Sequence, residues 1–242
     1  AVLDAGINYI DTADDYGNSE ELIARFIGHR RDEFFIATKG NVWTKQGITD
    51  SLHRSLRRLK ADYVDIMQLH GPSVEECEQG DLVEALQELR QQGKTRWIGV
   101  STNLPDLPAY LRWSVFDVFQ IPYSALLREN EDLITAAAEA GSGTIIRGGV
   151  AQGEPGQGLG SDEEWQKFHE AKLDELREEG ESRSAFMLRF TLSHPSLHTT
   201  IVGTKNPQHL QENVRVAQRG PLSQDTYQEA KRRLDWVVLT PA

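Results

Sequence analysis

Short apolar runs and amphipathic stretches alternate along this chain, and the switch between them recurs at a near-regular interval. Runs rich in β-formers predict strands at residues 9–11, 33–39, 63–70, 95–101, 115–120, 144–146 and 199–202. Between them, apolar positions at helical spacing predict helices. The first opens at Ser19 and carries Leu22, Ile23, Phe26 and Ile27 on one stripe. Others are expected over 48–60 with Thr49 or Asp50 as cap, 82–92 stopped at Gly93, 107–113, 129–140 closed by Gly141, 206–217 and 224–236.

Predicted strand ends fall at residues 11, 39, 70, 101, 120, 146 and 202, most of them 19 to 31 residues apart. That interval is one strand plus one crossover helix. Strands that read as continuous apolar runs and alternate with helices imply a parallel sheet covered on both faces. The pattern predicts a (β/α)8 barrel, with seven βα steps in this chain. Residues 1–6 read as the last turn of a helix closed by Gly6, so an eighth strand is expected ahead of residue 1. A doubly wound open sheet is the competing arrangement, and no Gly-x-Gly-x-x-Gly follows a strand to favour it. The interval between Ile146 and Thr199 is longer. It holds a glycine-rich loop, an acidic helix opened by a capping box at Ser161 to Glu164 and read as a solvated insertion, and a barrel helix over 182–193. The whole of 1–242 reads as a single barrel domain.

Composition narrows the function class. With 26 Lys and Arg against 37 Asp and Glu, the net charge of −11 disfavours nucleic acid or an acidic membrane as the main partner. No run of 18 apolar residues predicts a membrane span. The single cysteine, Cys77, excludes an intrachain disulfide and fits a reducing compartment, so a cytoplasmic location is expected. The histidines lack metal-ligand spacing, and no metal is expected.

In a barrel the C-terminal strand ends share one rim, where chemistry sits. They deliver Asp11, Lys39 and His70, with Tyr16 from the first loop. A phenol titrates near ~10 and is a weak acid at neutral pH; a lysine cation nearby favours its ionised form. Asp11 would hold that lysine charged, and His70 could donate a hydrogen bond to a carbonyl oxygen. Such a set can protonate a developing alkoxide. Ser101, Asn103 and Gln120, at adjacent strand ends, suit a carboxamide. The helix start at Gly203-Thr204-Lys205, with His209, suits a phosphate. Taken singly, each has a plainer reading: a helix cap for Asp11, a solvated strand end for Lys39, a core histidine for His70. Trp43, the large side chain of the short loop after Lys39, is a candidate pocket wall, with surface packing as its alternative.

Residues 6–20, Gly-Ile-Asn-Tyr-Ile-Asp-Thr-Ala-Asp-Asp-Tyr-Gly-Asn-Ser-Glu, resemble the first signature of the aldo-keto reductases. Residues 62–70, 98–103 and 201–213 resemble the family's later motifs, in family order, so the resemblance spans about residues 1 to 236. It implies NADPH-dependent reduction of a small carbonyl substrate by a monomer or small homo-oligomer, with NADP preferred over NAD. It further implies a tetrad of Asp11, Tyr16, Lys39 and His70, with Tyr16 as the acid. Ser101, Asn103 and Gln120 would hold the nicotinamide amide. Gly203, Thr204, Lys205 and His209 would lie near the adenosine 2′-phosphate, and Glu212 and Asn213 at the adenine. Two positions depart from the pattern: Arg147 stands where many members stack an aromatic ring on the nicotinamide, and His209 where an arginine often grips the phosphate. The potassium-channel β subunits resemble the same motifs, so a cofactor-binding regulatory subunit is the alternative.

Overall fold

The computed structural model describes residues 1–239. The chain forms two compact units, Ala1–Gln120 with Glu139–Gly143, and Ile121–Ala138 with the described residues from Thr144 onward. The first unit contains β1 (Tyr9–Asp11), α1 (Ser19–Phe26), β2 (Phe35–Gly40), α2 (Lys45–Leu59), β3 (Val64–His70), α3 (Val74–Gln79), α4 (Leu82–Gln91), β4 (Thr95–Ser101), α5 (Leu107–Trp113) and the start of β5 (Val118–Pro122). The strands pair in chain order, each parallel to the next. β2 and β3 are buried along almost their whole length, as parallel strands covered on both faces should be.

Local chemistry explains these elements. Thr44 caps α2 by accepting the Gly47 N–H, and the helix buries Ile48, Leu52, Leu56 and Leu59 at helical spacing. Burying one such side chain contributes about 1.5–3 kcal/mol. At Gly40, a Cβ would come within 2.9 Å of Ser51 Oγ and 3.2 Å of Ile48 Cδ1, so the absent side chain lets α2 lie close on β2. Gly99 serves β4 likewise, where a Cβ would meet the Val118 carbonyl at 2.7 Å.

The second unit contains all but the last residue of α6 (Glu131–Glu139), all but the first of β6 (Gly143–Arg147), α7 (Asp162–Glu170), α8 (Arg183–Leu192), β7 (Thr199–Thr200), α9 (Pro207–Arg219) and α10 (Gln224–Leu239). β6 and β7 pair in parallel. Tyr227 of α10 meets the buried Tyr123, hydroxyl to hydroxyl at 2.9 Å, and Lys231 of α10 pairs with Glu131.

Several expectations need correction. The cap of α2 is Thr44, not Thr49 or Asp50, and the helix starts a turn earlier. β5 begins at Val118, and just before it the Asp117 carboxylate, in place of a backbone carbonyl, takes the Ile98 N–H at 2.9 Å. α3 is an additional helix, opened by a reciprocal capping box between Ser73 and Glu76 and too short to show a period. The acidic insertion is more than a solvated face: Trp165 and Phe168 of α7 are fully buried, and the Trp165 indole donates to the Ala151 carbonyl. Among the described residues, no helix is long and apolar enough to cross a membrane.

The loop after β1 is tied to α2 by Asp14. Its buried carboxylate accepts from Ser51 Oγ at 2.8 Å, Arg54 at 2.5 Å and Arg58 at 2.7 Å. Asp14→Ala should lower stability by about 2–3 kcal/mol in urea unfolding, because the two arginines lose their counter-charge but stay partly solvated. A loss within experimental error would show that the loop is held by its backbone bonds alone.

Candidate active site

Strand register builds the candidate site within the first unit. His70 is paired with Ser101, and Ser101 with Gln120, so these three residues stand side by side across β3, β4 and β5. Lys39 is level with Gln68, two residues below His70 on the same face. It is 1% exposed. Its Nζ donates to Asp11 Oδ2 at 2.5 Å and to the Thr12 carbonyl at 2.7 Å. The other carboxylate oxygen, Oδ1, accepts from the Gln120 amide at 2.8 Å, and the Gln120 carbonyl accepts from Ser101 Oγ at 3.4 Å. A buried ion pair persists when both charges are paired and their remaining sites hydrogen-bonded. Asp11 meets that condition, with each oxygen engaged.

Tyr16 lies over this pair. Its ring centroid is 4.9 Å from Lys39 Nζ, and its hydroxyl is 3.5 Å from His70 Nε2. The two rings meet edge-on, 5.6 Å between centroids. Tyr16 is 47% exposed, so its hydroxyl is open to a molecule arriving from solvent. The loop that carries it is fixed by backbone bonds from Thr12 N–H to the Ala37 carbonyl and from Asp14 N–H to the Lys39 carbonyl. Gly17 then turns the chain with a φ of 58°, a conformation that favours glycine.

The other predicted residues are more dispersed. Asn103 is exposed, and its carbonyl accepts the Leu107 N–H at the start of α5. Trp43 is half-buried in the loop before α2, its backbone carbonyl turned toward Gly80. In the second unit, Arg147 ends β6 and its carbonyl accepts the Tyr123 N–H. Gly203, Thr204, Lys205 and His209 are exposed around the start of α9. There the Thr204 hydroxyl accepts the Asn206 N–H, and the Asn206 side chain caps the helix through Gln208 N–H. Glu212 and Asn213 are half-buried one turn on, and Glu212 accepts a hydrogen bond from Ser182 Oγ at 2.5 Å.

Sequence reasoning missed three acids of the first motif. Asp14 and Glu20 are buried ties to α2 and β2; Glu20 accepts from Thr38 Oγ1 at 2.7 Å. Asp15 is an exposed neighbour of His70, 3.5 Å from its Nδ1. The available signal was their density, since acids so close in one short loop require counter-charges or donors from elsewhere.

The aldo/keto reductase family model matches residues 1–234. An uncharacterized oxidoreductase, YqkF of Bacillus subtilis, is 28% identical over 251 residues, covering 92% of this chain and 82% of that protein. Among solved structures, the holo form of aldo-keto reductase AKR11C1 from Bacillus halodurans superposes with a TM-score of 0.84 at 28% identity, over 96% of this chain and 84% of that one. An aldo/keto reductase from Klebsiella pneumoniae, solved in complex with NADP and acetate, superposes with a TM-score of 0.80 at 25% identity, over 95% and 81%. The fold class is the (β/α)8 class of these proteins.

Proposed function

The chain belongs to the aldo/keto reductase family of NAD(P)H-dependent oxidoreductases, and from that premise we propose that it reduces an aldehyde or ketone to the alcohol, with NADPH as the preferred cofactor and Tyr16 as the proton donor. The observation that carries the reading is the stack of Tyr16 over the Lys39–Asp11 ion pair, with His70 Nε2 beside the phenol oxygen. In this reading a nicotinamide dinucleotide, when held by the residues named below, would supply the hydride for the carbonyl carbon. Tyr16 donates its hydroxyl proton to the oxygen. Lys39 stabilises the phenolate left behind, and Asp11 keeps Lys39 charged and in place. His70 donates through Nε2 to the same oxygen. Each group acts where charge develops in the transition state, which is where preorganised donors accelerate a reaction.

The donor set supports a nicotinamide dinucleotide. Ser101 and Gln120 offer a buried hydroxyl and a buried amide on neighbouring strands, which complement a carboxamide, with Asn103 following β4. Within the second unit, the N-terminus of the 13-residue α9 and the exposed Lys205 and His209 offer backbone N–H groups and cations that complement a phosphate. Gly203 leaves open space where a Cβ would stand. In this reading, within the second unit, Gly203 and Thr204 also lie near the 2′-phosphate and Glu212 and Asn213 near the adenine; within the first, Trp43 lies against the substrate. The single cysteine is consistent with the cytoplasm as its location.

Titration of intrinsic tryptophan fluorescence with NADPH and with NADH, followed by assays on aldehydes and ketones at saturating cofactor, tests the proposal. Saturable quenching that favours NADPH, together with cofactor oxidation on adding a carbonyl compound, is expected. Tight binding with no turnover on any carbonyl class would replace the reductase with the regulatory-subunit reading.

A further inference from the structure

Asp15 makes a contact that neither the tetrad nor the cofactor segments account for. Its carboxylate spans two partners: Oδ2 accepts from Asn41 Nδ2 at 3.0 Å, and Oδ1 is 3.5 Å from His70 Nδ1. Asn41 directly follows β2, so the strand that presents Lys39 also anchors the acid that faces the histidine. The opposite ring nitrogen, Nε2, faces Tyr16 Oη at the same 3.5 Å. A carboxylate, an imidazole and a phenol therefore stand in line. Contacts of this length in a site of this kind tighten when a substrate engages it.

We propose that Asp15 is a positioning residue that holds the His70 imidazole with Nδ1–H directed at its carboxylate, so that Nε2 is kept on the Tyr16 hydroxyl. The hydrogen bond at one ring nitrogen sets the tautomer and orientation of the other. With Nδ1–H engaged by Asp15, the neutral ring has a lone pair at Nε2 and can accept from Tyr16. The protonated ring has a donor there and can serve a carbonyl oxygen. A carboxylate beside the ring favours the protonated form. Asp15 thus determines which state His70 presents to the substrate. Among the described residues, Tyr16 from the same loop also meets the ring, and Lys39 from β2, paired with Asp11, lies beneath the Tyr16 ring.

The pair is open to solvent, with the His70 side chain 24% exposed and that of Asp15 38%. Asp15 lies outside the buried ties that hold the loop, which are carried by Asp14. Asp15→Asn keeps the shape and an acceptor but removes the charge. Asp15→Glu keeps the charge on a longer arm.

The test is an NMR titration of protein labelled with 15N-histidine, its His70 resonance assigned by loss in His70→Gln. It needs neither cofactor nor substrate. The proposal rests on the reductase reading only for its consequence in turnover, so failure of that reading would leave the titration result standing. In the wild-type protein, the neutral form should be the Nδ1–H tautomer. Asp15→Asn should lower the His70 pKa by about one, because the opposite charge that favours imidazolium is gone, and Asp15→Glu should restore most of it. An unchanged midpoint and tautomer in Asp15→Asn, with the other six histidines also unmoved, would overturn the proposal and leave Asp15 as a loop tie to Asn41.

Discussion

Tyr16→Phe should lower kcat for carbonyl reduction by about a thousandfold, the middle of the range attributed to a positioned general acid, while cofactor affinity stays near that of the parent. The substitution removes one oxygen and little else. The ring keeps its edge contact with His70 and its place over Lys39, and a side chain 47% exposed has no core to disturb. The oxygen itself is the donor that an alkoxide needs, and it stands beside His70 Nε2 on a ring that lies over Lys39. Steady-state kinetics beside a fluorescence titration separates the two effects. Loss of binding in step with turnover would mean that the phenol anchors a ligand. A kcat within a fewfold of the parent would remove Tyr16 as the acid.

Lys39→Met should abolish turnover and also cost about 3–5 kcal/mol of stability, the usual result of leaving one member of a buried ion pair without its partner. Lys39 is almost fully enclosed, and Asp11 receives side-chain hydrogen bonds from Lys39 Nζ and Gln120 Nε2. Removing the lysine leaves a carboxylate with one neutral amide in a poorly solvated place. Adding Asp11→Asn to Lys39→Met removes that stranded charge. The double variant should therefore regain much of the lost stability but none of the activity, a coupling that a double-mutant cycle in urea reads directly. If Lys39→Met alone cost less than about 1 kcal/mol, the pair would behave like a solvated surface bridge, and its role in holding the lysine charged would need another source.

Much of this arrangement was legible before the fold. The strands β3 and β4 end where their apolar runs stop, at His70 and Ser101, and the parallel order of β1 to β5 follows from the spacing between runs. Boundaries were less legible where a side chain replaced a backbone partner, as Thr44 does at α2 and Asp117 does before β5. The acidic stretch of α7 was misread because two aromatic residues, Trp165 and Phe168, set its burial against the weight of its charges.

The first motif shows where the boundary lies. Its residue types and periodicity determined a strand, a polar loop, a helix, and an acid and a phenol near the strand end, because these depend on neighbours a few residues away. Adjacent Asp14 and Asp15 are indistinguishable on that scale. Folding sends one to Arg54 and Arg58 of α2 and the other to His70 and Asn41. Likewise, Asp11 draws one partner from 28 residues away and another from 109. Local pattern places a side chain on an element. Which group it meets depends on how strands register across the sheet, and that is decided only when distant residues compete for the same buried space and the same hydrogen bonds.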